Sequence, residues 1–487
     1  MTKNRKSNHK KEGFILATAL IAVFLFTVIL IGSLSLSLFR MKLNISKIAN
    51  TQALHVAEAG VNYYRWVLYR KDNNYCNKEA CKPGPDYGPY GPYEYKDASG
   101  NISGYYQLYI TPPAANGSTI VKVRSVGWTE DYPNIKREIE VRLGIAAWST
   151  YSTLCNSFIR FGEGTEVWGP IHSNSGIRFD GVAHNLITSS VPEFDDPDHA
   201  GGEEFGVHTH VSPTDPLSDG NNPPLNVPVR NDVFMAGRSF PVSVVSFDML
   251  DSYVNTTYGL ATSSGYMLAN SGALGYHLVI TPHDGSGNDT INIYKVNSVT
   301  PACDGEETFG ITSENFYTSI IPPTNGIIFV KDRIWIDGQI NNERLNILAF
   351  NDPFAGSTTD IVINSDLKYT NYDGTDAIGL IAQRDVNIGL FSLDELSINA
   401  AMIAKTGRIG RNYYTNYDNN GCRRAYATRN TITVMGSLAT KDRYGFAYTD
   451  GNGYAFRNLI YDNHLTFAPP PHFPSTGEYA FISWKEN

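Results

Sequence analysis

The residues best equipped for chemistry lie in EFDDPDHAGGEEFGVHTHVSP, residues 193–213. This segment holds Asp195, Asp196, Asp198, His199, Glu203, Glu204, His208 and His210. Histidines two apart on a strand share one face, and imidazole beside carboxylate is a donor set for a divalent metal. The same composition also describes a solvated acidic loop, and on that reading no metal is assigned. A second group, Asp373, Asp376 and Asp385 in DGTDAIGLIAQRD, admits three uses. Paired carboxylates serve as general acid and base on a glycosidic bond. Oxygen-rich loops hold calcium, for which Asp373 and Asp376 are the candidates, although the spacing is not that of an EF-hand. Asp and Gly also suit a tight turn. No G-x-S-x-G elbow, Walker loop or H-E-x-x-H motif occurs, so no catalytic or cofactor-binding residue is assigned.

Five cysteines are present: Cys76, Cys81, Cys155, Cys303 and Cys422. Outside the cytosol disulfides persist, and Cys76 and Cys81, close together in YCNKEACKPG, are the expected pair. At most one more pair can form among the other three. All five being reduced is the alternative. The spacing is not that of a zinc site. The 487 residues are 42% hydrophobic and only 18% charged, with 43 Gly, 25 Pro and 30 Tyr, which suits an extracellular β-rich protein of two or three domains. A net charge of −9 gives no global attraction to nucleic acid, and Arg423, Arg424 and Arg429 read as a solvated loop.

These groups must be positioned by elements, and the first is a helix. An uncharged, mostly apolar run from Phe14 to Phe39 follows a basic leader and precedes Arg40 and Lys42. At about 1.5 Å per residue it is long enough to span a bilayer. Lys3, Arg5, Lys6, Lys10 and Lys11 place the N-terminus in the cytoplasm and the bulk outside. From Met41 to Tyr69 apolar residues recur mostly every two to four positions without proline, which continues the helix in amphipathic form.

The Lys-Glu-Gly-Phe junction ahead of the apolar run resembles the class III signal of type IV pilins. The resemblance implies a leader of residues 1–13, cut by prepilin peptidase between Gly13 and Phe14, with 14–40 as the transmembrane half of the helix. Thr18 departs from the glutamate usual at that position in major pilins, a loss familiar in minor pilins of the PilX type and in the tip pseudopilin of type II secretion. An uncleaved signal anchor is the alternative. Gln52 to Tyr64, QALHVAEAGVNYY, is similar to the PilX-type N-terminal family, the matching residues being Ala57, Glu58, Ala59 and Gly60. The likeness covers about the first 70 residues.

Residues 71–100, rich in Tyr, Pro and Gly, predict an irregular loop. YYQLYITPP, TIVKVRSVGWT and IKREIEVRLGI, separated by turn signals such as Ala-Asn-Gly, predict antiparallel strands. With the helix they make a pilin-like head at 41–147. Beyond it, 169–181, 327–338, 379–390, 401–412 and 436–446 share a pattern: a short apolar run, about three small or polar residues, then an apolar strand. Such repeats predict a right-handed parallel β-helix, a solenoid over 148–487, with Asn346, Asn364, Asn387 and Asn399 at left-handed corners. A β-sandwich is the alternative. Residues 190–320 are expected to project as an insertion, and the proline-rich tail from about 465 to 487 to cap the solenoid's open end. The fold class is therefore α+β followed by all-β. IHSNSGIRFDGVAHN, DGTDAIGLIAQRDV and PPPHFP also resemble large PilX-like pilus assembly proteins, a likeness that implies no activity.

The expected function is that of a non-enzymatic minor pilin at a pilus tip or in an initiating complex. It would sit in the inner membrane before assembly. Its partners would be other pilins, the inner-membrane assembly machinery and prepilin peptidase, with surface glycans or neighbouring cells as targets and no nucleic acid. A membrane-anchored β-helix enzyme acting on polysaccharide and a type II secretion pseudopilin are the alternatives.

Overall fold

The computed structural model describes residues 9–70, 75–113, 118–285, 287–466 and 468–486. The first eight leader residues and the Ala-Asn-Gly turn at 115–117 lie outside them. The chain forms two compact units.

The first unit is built on one helix, α1 (His9–Tyr69), 61 residues and about 90 Å long. Its apolar half, including Phe14, Leu20, Phe26, Ile31 and Phe39, is exposed and is long and apolar enough to cross a membrane. Its second half buries a stripe of Ala49, Ala53, Val56, Ala57, Val61 and Tyr64. Against it lies an antiparallel sheet of β1 (Tyr90–Lys96), β2 (Ile102–Thr111), β3 (Val121–Thr129) and β4 (Lys136–Ala147). Burial alternates strictly along β3, so Val121, Val123, Ser125 and Gly127 face inward. Cys76 and Cys81 form a disulfide.

A fifth strand, Ser475–Glu486, lies beside β4 at the sheet edge, and Arg65 on α1 sits 4.8 Å over its Phe481 ring. This corrects two expectations. The tail does not cap a solenoid end, and the head is not the continuous span 41–147: it comprises residues up to Pro112, Val121–Leu143 and Phe481 onward. The proline-rich 468–474 segment instead lies along the side of the second unit. There Arg344 donates to the Pro469 carbonyl (2.8 Å), Asn346 donates to that of Pro471 (2.9 Å), and Phe473 is buried.

The second unit is a large parallel sheet system in which short strands stack in register. The main column runs Tyr266–Leu268, Ile327–Val330, Arg344–Ala349, Ala377–Ala382, Glu395–Ala404 and Thr428–Thr440. It then continues into Thr153–Cys155, Ile171–Ser173, Ile187–Ser189 and Arg238–Ser239. The chain therefore enters mid-stack at 153, builds one end, crosses back and builds the other. The return is made by α2 (Met249–Ser264), which packs on the column through Leu250, Val254 and Ala261.

Side chains alternate between two cores. Ile328, Val330, Ile347, Ile378 and Leu380 fill the interior, while Ile327, Phe329, Leu348 and Ile381 meet α2. Both faces being covered explains the unbroken apolar runs IIFV and AIGLIA.

Two expectations are corrected here. Residues 190–320 are not a projecting insertion: Val207–His208, Arg238–Ser239, Tyr266–Leu268 and Gly275–Thr281 are all strands of the stack, and the antiparallel pair Thr290–Val299 and Ile311–Ile320 extends from Gly275–Thr281. The four asparagines do not make left-handed corners. Asn346, Asn387 and Asn399 lie inside strands, and none of the four is among the described residues with positive φ. Asn364 donates to the Phe309 carbonyl at 2.9 Å and accepts the Gly389 amide, so its side chain splices two turns together.

His277 shows how the edge pair is held. Its Nδ1 faces Glu314 at 2.8 Å and its Nε2 faces Asp337 at 2.9 Å, so both nitrogens donate. Burial disfavours the charged ring, but Asp337 and Glu314 outweigh it and raise the pKa above the ordinary 6.5. The pair's contribution, about 1 kcal/mol, is fully present below pH 6.5 and is lost as pH rises through the folded pKa. Urea melts across that window will show stability falling with pH, and His277→Gln will remove that component. An unchanged pH dependence in the variant would refute the assignment.

Candidate functional site

The acidic, histidine-rich segment folds as a short ribbon, Glu193–Phe194 paired with Glu204–Phe205, followed by Val207–His208. The last of these joins the stack in parallel, with His208 opposite Arg178 of Ile177–Phe179. Period-two geometry sends His208 and His210 to the same side, and the turn after Phe194 brings Asp196 to meet them. Asp196, His208 and His210 form one group whose ligand atoms lie within 4.8 Å of one another, and His199, Glu204 and His210 form another, with His210 common to both.

Asp196 and His208 are wholly buried and Glu204 nearly so. The Asp196 amide donates to Glu204 Oε2 (3.0 Å), and its Oδ1 accepts the Asp198 amide (3.0 Å). Its Oδ2 faces His208 Nε2 and Arg178 Nη1, each at 3.4 Å. Burial alone would raise the Asp196 carboxyl, but the Asp198 amide, His208 and Arg178 hold it below the usual range, so it is an anion. His208 Nδ1 donates to the Phe205 carbonyl at 2.9 Å, which directs its Nε2 at Asp196. Burial, with Arg178 and His208 adding positive charge, lowers the His210 pKa. Its Nε2 is buried with no hydrogen-bond partner among the described residues.

The rest of the acidic segment goes elsewhere. Asp198 pairs with Arg160 at 2.9 Å, and the Glu193 charge raises the exposed Glu203. Sequence reasoning missed Arg178 and Asp180, joined at 2.7 Å, with Asp180 accepting the His210 amide at 2.8 Å. The pattern IRFD, which sets Arg and Asp two apart on one strand face, was the available signal.

The second acidic group does not converge. Asp376 is buried and accepts three backbone amides, from Glu343 (3.2 Å), Thr370 (2.9 Å) and Asn371 (2.7 Å). Asp373 accepts the Thr375 amide within its own turn (3.0 Å), and Asp385 accepts the Arg408 amide (2.7 Å). Asp376 and Asp385 join turns of successive strands, while Asp373 closes its own turn. Asp373 and Asp376, weighed as calcium ligands, are engaged as amide acceptors, and Asp376 has no exposed oxygen to offer. Arg429 turns inward, 4.4 Å over the Tyr426 ring, and so leaves the cluster formed with Arg423 and Arg424 in the sequence. Cys303 and Cys422 form the second disulfide, and Cys155 is a buried thiol.

The remaining candidate surface is α1. Gly13 and Phe14 both lie within it. Thr18 donates to the Phe14 and Ile15 carbonyls (3.0 and 2.9 Å), so its hydroxyl is satisfied by the helix itself in an apolar setting. Ala57 and Gly60 mark the contact with the sheet: a Cβ on Gly60 would lie 2.4 Å from Ser125 Oγ, and one on Gly127 would lie 2.4 Å from the Ala57 amide nitrogen. Glu58 and Ala59 lie at the half-buried margin of this face.

No protein-family model and no curated protein matches the chain. Among solved structures the chain is similar to the competence-associated pilin ComZ from Thermus thermophilus. The TM-score is 0.31 and the identity 12%, over 90% of this chain and 98% of that one. A TM-score of that size does not establish a shared fold.

Proposed function

We propose that this chain is a minor-pilin-like protein of the PilX type. It is inserted in the cytoplasmic membrane by α1, cleaved between Gly13 and Phe14 by prepilin peptidase, and built through α1 into a type IV pilus. The observation that carries this reading is the division of one continuous helix. From Phe14 to Phe39 it is mostly apolar, exposed and free of charge, while its second half is locked to an antiparallel sheet through Ala53, Ala57 and Gly60. An isolated membrane anchor needs only the first half.

The stacked second unit is read as a right-handed β-solenoid, presented outside the membrane for assembly or adhesion to glycans or neighbouring cells. Its bulk suits a single copy at the tip or in an initiating complex better than repetition along a thin fibre. Thr18 supports the same placement, because it puts no charge where successive helices would pack. A structural role is favoured over catalysis because Asp373, Asp376 and Asp385 each serve backbone amides.

Mass spectrometry of the mature N-terminus, comparing sheared filaments with membranes, tests this. The expected species is a filament-associated chain beginning at N-methylated Phe14. An intact Met1 confined to membranes would overturn it.

A further inference from the structure

We propose that Asp196, His208 and His210 bind one divalent transition metal ion of the zinc type, with the neighbouring His199–Glu204 pair completing or buttressing the site. Three observations point to it. First, His208 donates its Nδ1–H to the Phe205 carbonyl, which directs Nε2 at the Asp196 carboxylate 3.4 Å away. The two atoms converge in a buried place, as ligand atoms of one ion do. The separation also suits such an ion: two ligands at about 2.1 Å from a tetrahedral metal lie about 3.4 Å apart.

Second, His210 Nε2 is a buried nitrogen without a hydrogen-bond partner among the described residues, and one ring nitrogen of His210 falls within 4.8 Å of ligand atoms of both Asp196 and His208. An unmade hydrogen bond of this kind has a cost that coordination removes. Third, the carbonyl bond to His208 is the outer support that fixes tautomer and ring direction in histidine metal sites. Imidazole-rich donors select zinc and its neighbours over calcium or magnesium, which take oxygen. Arg178 is the opposing feature, a cation 3.4 Å from Asp196 Oδ2, but its Nε is held at 2.7 Å by Asp180.

The place in the fold defines the role. Val207–His208 is the outermost strand of the column Ile159–Phe161, Ile177–Phe179, Val207–His208. An ion there joins this strand and its following residue to the turn at Asp196, and so fastens the loop that closes this end of the stack. The site is structural, with no exposed coordination position required.

The test uses the full chain in detergent, stripped with chelator and re-equilibrated with zinc chloride. Wild type is expected to retain about one zinc per chain after desalting and to melt about 5 °C higher at zinc a hundredfold above Kd. Cobalt(II) in its place is expected to give the intense visible bands of a four-coordinate site. His208→Ala is expected to lose ion, bands and melting shift. Because His208 is buried and this variant can fail to fold, half-buried His210→Gln is the deciding variant: it should fold, match the metal-free wild type in melting temperature, and lose both the retained zinc and the cobalt bands. Folded wild type that retains no zinc, or His210→Gln that retains as much as wild type with the same bands, overturns the proposal.

Discussion

Gly127→Val will unseat the sheet from α1 at a cost of about 3 kcal/mol or more. The reason is backbone geometry: a Cβ at Gly127 would stand 2.4 Å from the Ala57 amide nitrogen and 2.6 Å from the Ala53 carbonyl oxygen, neither of which can swing away as a side chain would. The helix would have to lift along β3, opening the interface that buries Val56, Val61, Val121 and Val123. Gly60→Ala makes the informative contrast. Its new methyl would meet Ser125 Oγ at 2.4 Å and the Tyr106 ring at 2.7 Å, both on side chains, so part of its smaller cost should be recovered by Ser125→Gly. Amide exchange across β2 and β3 reads both. Native protection in Gly127→Val would show that the close approach is not required.

This contact also shows where sequence reasoning succeeds and fails. The alanines and glycine of AEAG sit on one face of a helix whose apolar periodicity is local, so the helix and the small-residue seam can be read from adjacent positions. The repeat units were legible for the same reason: IIFVKDRIWIDG is a strand, a three-residue corner and a strand within twelve residues. Stacking order was not legible. The unit at 169–181 lies near Thr428–Thr440 rather than beside 327–338, because α2 carries the chain back across the stack between them. Nothing local in MLDSYVNTTYGLATSS records that crossing. The last strand likewise finds β4, more than 300 residues earlier, and a run of three prolines says only that no helix continues. In the acidic, histidine-rich segment, period-two spacing placed His208 and His210 together. Whether Asp196 would meet them depended on a turn held by Glu204, which accepts the Asp196 amide, and by Arg178 on the neighbouring strand.

Reducing the Cys303–Cys422 disulfide will be the largest single loss to the second unit. The bridge closes a chain separation of 119 residues, for which unfolded-chain entropy gives about 4.9 kcal/mol, against about 2 kcal/mol for the separation of five between Cys76 and Cys81. It joins the turn after Thr300 to the loop following Arg411, around a small core of Leu390 and Tyr414. Other bonds hold the loop in the same place: Thr415 and Tyr417 donate to Asp304 beside Cys303, Tyr414 donates to the Glu307 carbonyl at 2.7 Å, and buried Arg411 donates to the Ser392 hydroxyl at 2.8 Å and the Tyr426 carbonyl at 2.6 Å. Burial pushes the Arg411 pKa down to about 10, which still leaves it charged at neutral pH, and those acceptors hold the charge only while the loop stays closed. Burial also pushes the Cys155 thiol up, so it does not compete as an attacking thiolate. The variant with Cys303→Ser and Cys422→Ser is therefore expected to melt about 10 °C lower and to lose amide protection over 412–427 first, while the double serine variant of Cys76 and Cys81 shifts less than half as far. Equal shifts in the two variants would mean that local packing, and not the length of the closed chain, sets the contribution of each bridge.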